Sequence, residues 1–289
     1  MKSKNHPGED LFEIVINETF KDKEILLQRN LVGICTDMGK NMLSKTKGLS
    51  NRLSQKYKQA ISTYDLSQAF NLITQYSLEK FPKEILELIK NICKHFRGSG
   101  LRRAQFQNLQ IKMGKKESEV RQILNYSEKK WTSLLTASQR IRELWSYLIL
   151  YYQEIEDDDM ISQLNNQAEK YVGLLVCLLQ KLNVHIVYFE KDSRDYSSIM
   201  TKLQETFFLT AELILKEEHK AEVNNSEAFS FLYSIPYDEP EKVKPYLKDL
   251  KSFEERFGAK YQEFYELNIE NLDSKVFFKV AMDFILETI

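Results

Sequence analysis

The sequence predicts a predominantly helical protein with few strands. Glycine and proline, the residues that interrupt helices, number only nine and five in 289 residues. Over most of the chain, apolar side chains recur at the 3.6-residue period of one helix face. With 43% hydrophobic and 12% aromatic residues, the chain can bury one or two cores, so a folded protein is expected.

Residues Asp10 to about Arg29 read as one amphipathic helix, and "LVGICT" (31–36) as a short buried strand of small and β-branched residues. "AISTY" (60–64) is a second strand candidate, and a helix is expected between the two, after Gly48. Pro82 suits the first turn of a helix that carries Ile85, Leu88, Ile89, Ile92 and Phe96 on one face and stops at "GSG" (98–100). A further helix, about Leu101 to Met113, closes at Gly114. After the irregular "ESEVRQILNYSEKKW", a long helix is expected with Ile141, Leu144, Leu148, Tyr151 and Ile155 on one face. It should end at the acidic "EIEDDD", because acids oppose the negative end of a helix dipole. Two more long helices follow, then the Pro-containing connection "SIPYDEPEKVKPY" and shorter C-terminal helices.

Cys35, Cys93 and Cys177 are far apart and odd in number, which points to a reducing compartment, nuclear or cytoplasmic, and not to a disulfide framework. No apolar run of about 18 residues and no signal-peptide pattern are read, so a soluble, intracellular protein without membrane partners is expected. The net charge of -1 hides an asymmetry. The 41 Lys/Arg and 42 Asp/Glu divide as 26 and 15 in residues 1–150 and as 15 and 27 in residues 151–289. Two stretches of the basic half lack acids altogether. Met38 to Tyr64 holds Lys40, Lys45, Lys47, Arg52, Lys56 and Lys58, and Leu88 to Lys116 holds Lys90, Lys94, Arg97, Arg102, Arg103, Lys112, Lys115 and Lys116. Such stretches serve either as a polyanion-binding surface or as an ordinary solvated basic face.

"LVGICTDMGKNM" (31–42) ends a strand on Asp37 and runs into a Gly-Lys pair. It is not a phosphate loop of the form G-x-x-x-x-G-K-[ST]. Gly33 and Gly39 are one residue too far apart, and Asn41 stands where the magnesium-binding hydroxyl is required. A carboxylate at a strand end either meets a divalent ion or caps the turn that follows, and both readings stand. Cys93 and His95 lack a second ligand pair, and four scattered histidines form no nucleophile-base constellation. His185, in the apolar "NVHIVYF", reads as a buried or half-buried histidine.

"NLVGICTDMGKNMLSKTKGLSNRL" resembles the segment of hAT-superfamily transposases in which a strand ends in the second catalytic aspartate. "TYDLSQAFNLI" is similar to their His-Asp-Leu-x-His-Cys-x-Asn-Leu block, "FPKEILELIKNICKHFRGSGLRRAQFQNLQ" to the helical start of their insertion domain, and "ILNYSEKKWTSLLTASQRIRELWSYL" to their Arg-Trp segment. The four landmarks keep their order and spacing from about Phe12 to Gln153. The resemblance implies an incomplete RNase H-like α/β fragment with few strands (1–80) followed by a large all-helical insertion domain (81–289). The family chemistry is two-metal hydrolysis and strand transfer at DNA phosphodiesters. Asp37 corresponds to the second of three metal-binding acids. Trp131 corresponds to a tryptophan that stacks on a flipped base, although a tryptophan at a helix start also serves as a packing anchor. Trp145, inside the long helix, reads as core.

The departures are specific. Only 36 residues precede Asp37, so no strand bearing the first acid is expected, and no zinc-binding BED finger, third acid or dimerisation block is recognised. Tyr64, Gln68 and Ala69 replace His, His and Cys, and Lys130 replaces the Arg before the tryptophan. One carboxylate cannot place two metals, so Asp37 is a vestigial catalytic and metal residue, and the chain by itself is expected to have no transposase or nuclease activity. No cofactor is expected; Mg2+ or Mn2+ enters only if the missing acids come from elsewhere. The expected partner is DNA, met by Lys40, Lys45, Lys47, Arg52, Arg97, Arg102, Arg103, Lys129, Lys130 and Trp131. The alternatives are a helical protein-interaction module, self-association through the oppositely charged halves, and a relic without selected function. No small-molecule substrate is evident.

Overall fold

The structure, a computed structural model, describes residues 8–37, 39–127, 131–190, 196–216, 218–219, 234–249, 251–253 and 274–288. Helix accounts for 73% and strand for 4%, so the protein is predominantly helical. The chain divides into two compact units, Met1–Leu72 and Ile73–Ile289.

The first unit begins with α1 (Gly8–Ile14), which runs on as a π-helical turn over Val15–Thr19, and α2 (Glu24–Asn30). The single helix expected from Asp10 to Arg29 is therefore broken. "FKDK" offers three consecutive charged residues, and Asp22 adopts φ 64, a left-handed conformation that aspartate tolerates better than most residues. Strand β1 (Gly33–Thr36) follows, then α3 (Lys40–Leu43), α4 (Leu49–Lys56) and β2 (Ile61–Tyr64). The strands pair in parallel, Gly33 with Ile61 through Thr36 with Tyr64. Helix α4 supplies the crossover that a parallel pair needs. Its Leu49 and Leu53 join Ile34 and Tyr57 in a buried cluster against which Phe12, Leu27 and Met42 pack. Gly48 caps α4 in a position no side chain could share: a Cβ there would lie 2.5 Å from Met42 O and 2.6 Å from Ser44 N. Helix α5 (Leu66–Leu78) starts directly after β2.

The boundary at Ile73 falls within α5, and the second unit continues with α6 (Lys83–Arg97) and α7 (Gly100–Lys112). The apolar face read from the sequence is the buried face of α6, comprising Ile85, Leu88, Ile89, Ile92, Cys93 and Phe96. Gly98 ends it, and Ser99 caps α7 by accepting from Arg102 N–H at 3.3 Å. The helix expected through Ile155 is two helices, α8 (Trp131–Glu143) and α9 (Trp145–Glu154). At Leu144 between them, the N–H is shared between Arg140 O at 3.1 Å and Ile141 O at 3.2 Å, the bonding of a tightened turn. The break keeps Ile141, Leu144, Trp145, Leu148 and Tyr151 buried, and Ile155 at the far end is partly exposed. The acidic loop then turns through Glu156 at φ 56, and Asp157 caps α10 (Asp158–Gln163), where acids suit the helix start.

Helix α11 (Asn166–Glu190) is central. Within Asn166–Phe189 an 18-residue window reaches a mean hydropathy of 1.7, so the helix is long and apolar enough to cross a membrane by length and composition alone. It is not an uninterrupted apolar run, since Gln180, Lys181, Asn183 and His185 interrupt it. Of that window, 62% is buried inside the protein, with Val172, Leu174, Leu175, Val176 and Leu179 nearly inaccessible, the pattern of an interior helix that is apolar on all sides. Helices α12 (Tyr196–Ile214), α13 (Pro240–Val243) and α14 (Ser274–Thr288) complete the described unit. Lys248 closes the end of α12 by donating to Glu212 O at 3.2 Å and Leu213 O at 2.9 Å.

Candidate functional site

The end of the small sheet holds two acids. Asp37 follows β1, and Asp65 follows β2 and donates its N–H to Thr36 O at 3.0 Å, so parallel register sets the two side by side. Each carboxylate is already engaged locally. Asp37 Oδ1 accepts from Gly39 N–H at 2.9 Å, an Asx turn, and Asp65 Oδ1 accepts from Ser67 N–H at 2.9 Å and Ser67 Oγ at 2.7 Å, capping α5. Among the described residues no group of three or more His, Cys, Asp or Glu side chains converges. Two turn-capping aspartates do not fit a two-metal centre.

The cations of the first unit sort into two kinds. Lys40, Lys45 and Lys47 are exposed. Arg52 pairs with Glu9 at 3.2 Å, and Lys56 pairs with Glu24 at 2.7 Å, which raises the Lys56 pKa.

The second unit sorts its basic stretch more sharply. Arg102 Nη1 donates to His95 O at 3.3 Å, and Arg103 Nη1 to Phe96 O at 3.4 Å and Arg97 O at 3.3 Å. These two arginines fold back onto the last carbonyls of α6, where a helix end favours positive charge. Lys112 reaches Glu154 at 3.5 Å, and Lys115 lies 4.6 Å from the centre of the Tyr147 ring. Lys90, Lys94 and Arg97 are placed differently. They stand at i, i+4 and i+7 on α6 and line one cleft of about 570 Å3.

The opposite wall of that cleft is Asn125, Tyr126 and Ser127, the end of an extended segment that crosses the helices as a strap. Side chains hold it in place. Gln110, fully buried, donates to Arg121 O at 2.8 Å and accepts from Arg121 N–H at 3.1 Å, copying a strand pairing with one amide. Arg140 donates to Gln122 O at 2.9 Å, and Ser133 Oγ bonds both Ser127 N–H at 2.9 Å and Ser127 O at 3.0 Å. Ile123 anchors the middle in the core.

Cys93 also lines the cleft, and burial pushes its thiol up to about 12; elsewhere on α6, burial together with the Arg102 charge lowers His95, whose Nε2 lies 3.1 Å from Tyr151 OH. All three cysteines are free.

Of the residues read as nucleic-acid contacts, Arg97 lines the cleft, whereas Arg102 and Arg103 cap α6 and Arg52 is ion-paired. Lys129 and Lys130 lie outside the described residues, as do the side chains of Trp131 and His185. Lys90 and Lys94 belong to the acid-free stretch Leu88 to Lys116, where their i, i+4, i+7 spacing with Arg97 beside an apolar stripe is visible in the sequence, whereas no sequence signal marks Tyr126. Comparison with protein-family models, with curated proteins and with solved structures returns no match.

Proposed function

We propose that this chain is a transposase-derived protein of the hAT type that binds DNA electrostatically inside the cell, in the nucleus, and does not catalyse strand transfer. The RNase H-like reading is supported by the order strand, acid, helix, parallel strand around Asp37, and the insertion-domain reading by the helices that follow. The observation that carries the binding function is the alignment of Lys90, Lys94 and Arg97 along one wall of a cleft whose lining, among the described residues, includes no acid. Positive side chains on a fixed wall displace the counterions of a polyanion, which gives binding that weakens steeply with salt. Fluorescence anisotropy of a labelled oligonucleotide tests it. Binding at low salt that falls with a log-log slope of about -2 to -3 for three phosphate contacts is expected; absence of binding at low salt refutes it.

One observation favours a protein-interaction reading beside this one. The strand β2 is exposed along its whole length, with Ile61 70% and the neighbouring Val32 76% accessible. An open two-stranded sheet invites strand addition. Light scattering at low and high salt tests it, and a strict monomer at high concentration counts against self-association.

A further inference from the structure

We infer that the cleft between α6 and the strap takes a single strand of nucleic acid and excludes a duplex; the inference rests on the nucleic-acid reading above and narrows its substrate class. The cleft volume of about 570 Å3 is that of a small-molecule site, about 300–1,000 Å3. A base with its sugar and phosphate enters such a space, and a double helix does not.

The cations are graded in depth. Lys90 is partly buried, whereas Lys94 and Arg97 are exposed. Seven residues of helix separate the first from the last, about 10 Å along the axis, so the row leads inward from the rim. A duplex lying across the rim reaches Lys94 and Arg97. A strand that enters also reaches Lys90 and the half-buried Tyr126 on the facing wall.

An aromatic side chain opposite a row of cations is the combination by which single strands are held, bases stacking on the ring while phosphates meet the charges. An acidic peptide would use the cations equally well but has no use for the ring. The bonds from Gln110, Arg140 and Ser133 fix the wall before any ligand arrives, which lowers the ordering cost of binding.

The test uses the full chain, a short labelled oligothymidylate, a mixed-sequence duplex of the same length and polyglutamate as competitor. Two variants, Tyr126→Leu and Lys90→Gln, are each checked for native circular dichroism. Tighter binding of the single strand than of the duplex is expected, with Tyr126→Leu weakening the single strand by about tenfold and leaving the duplex nearly unchanged. Lys90→Gln should show the same selectivity, which keeps the test decisive if one variant fails to fold. The inference is overturned if both variants leave single-strand binding intact, if they weaken both forms equally, or if polyglutamate displaces the strand as well as unlabelled oligonucleotide does. Duplex binding that equals or exceeds single-strand binding also overturns it and leaves the broader nucleic-acid reading standing; failure of both forms to bind overturns both.

Discussion

Replacing Gln110 by Leu should loosen the strap while leaving the helices beneath it intact. The buried amide makes two bonds to the Arg121 backbone, at 2.8 and 3.1 Å, and leucine keeps much of the volume while removing both. Each such bond contributes about 1 kcal/mol net, and water can reach the exposed Arg121 to replace part of the loss. The local opening free energy should therefore fall by about 1–2 kcal/mol, which accelerates exchange of the Arg121 amide by about fivefold to thirtyfold. Site-resolved hydrogen exchange measures it, with Leu148, whose N–H donates to Leu144 O at 2.9 Å inside α9, as internal reference. Unchanged exchange at Arg121 in Gln110→Leu would falsify the view that this side chain holds the strap. Equal acceleration at Leu148 would show that the substitution damages the core instead.

Other consequences can be checked separately. His95 is held below its ordinary 6.5 by burial and by Arg102, with Asp157 acting in the opposite sense. The unfolded chain therefore takes up the proton first, so stability contributed by neutral His95 is present above about pH 6.5 and is lost as pH falls below it. Urea midpoints between pH 7.5 and 5 should show this fall, and His95→Gln should flatten it; an unaltered pH profile in the variant contradicts the assignment. Cys35 is exposed while Cys93 and Cys177 are buried, so a thiol reagent should modify Cys35 in the native protein and the other two only on denaturation; rapid native labelling of Cys93 refutes its burial. Gly48→Ala forces a Cβ against Met42 O and Ser44 N and should destabilise the first unit by about 1–3 kcal/mol; thermal unfolding of a variant as stable as the parent shows that the turn can relax.

The parts of this fold legible in the sequence are those that local chemistry decides. Pro82, the apolar stripe of α6 and Gly98 state a helix with its start, its buried face and its end, and Gly48 marks the start of α4. The breaks at Asp22 and Leu144 were not legible, because periodicity continues across a helix interruption when the same face stays buried. The interior position of α11 follows from packing partners that no window of sequence contains. For the site, composition located the basic half but not the roles within it. Whether an arginine meets solvent or a helix-end carbonyl depends on the turn before it, and the "GSG" turn returns Arg102 and Arg103 onto α6. In the sequence the strap reads only as irregular, because long-range side-chain bonds to its backbone leave no periodic trace.

The most direct test of the central claim compares two charge-removal variants of the full chain in salt titrations of oligonucleotide binding. One carries Lys90→Gln, Lys94→Gln and Arg97→Gln in the cleft, and the other carries Lys40→Gln, Lys45→Gln and Lys47→Gln on the exposed surface of the first unit. The cleft variant should lose affinity at every salt concentration and flatten the log-log slope by about 2 to 3, while the surface variant stays close to the parent. A surface variant that loses the slope while the cleft variant keeps it would contradict the assignment of binding to α6 and the strap.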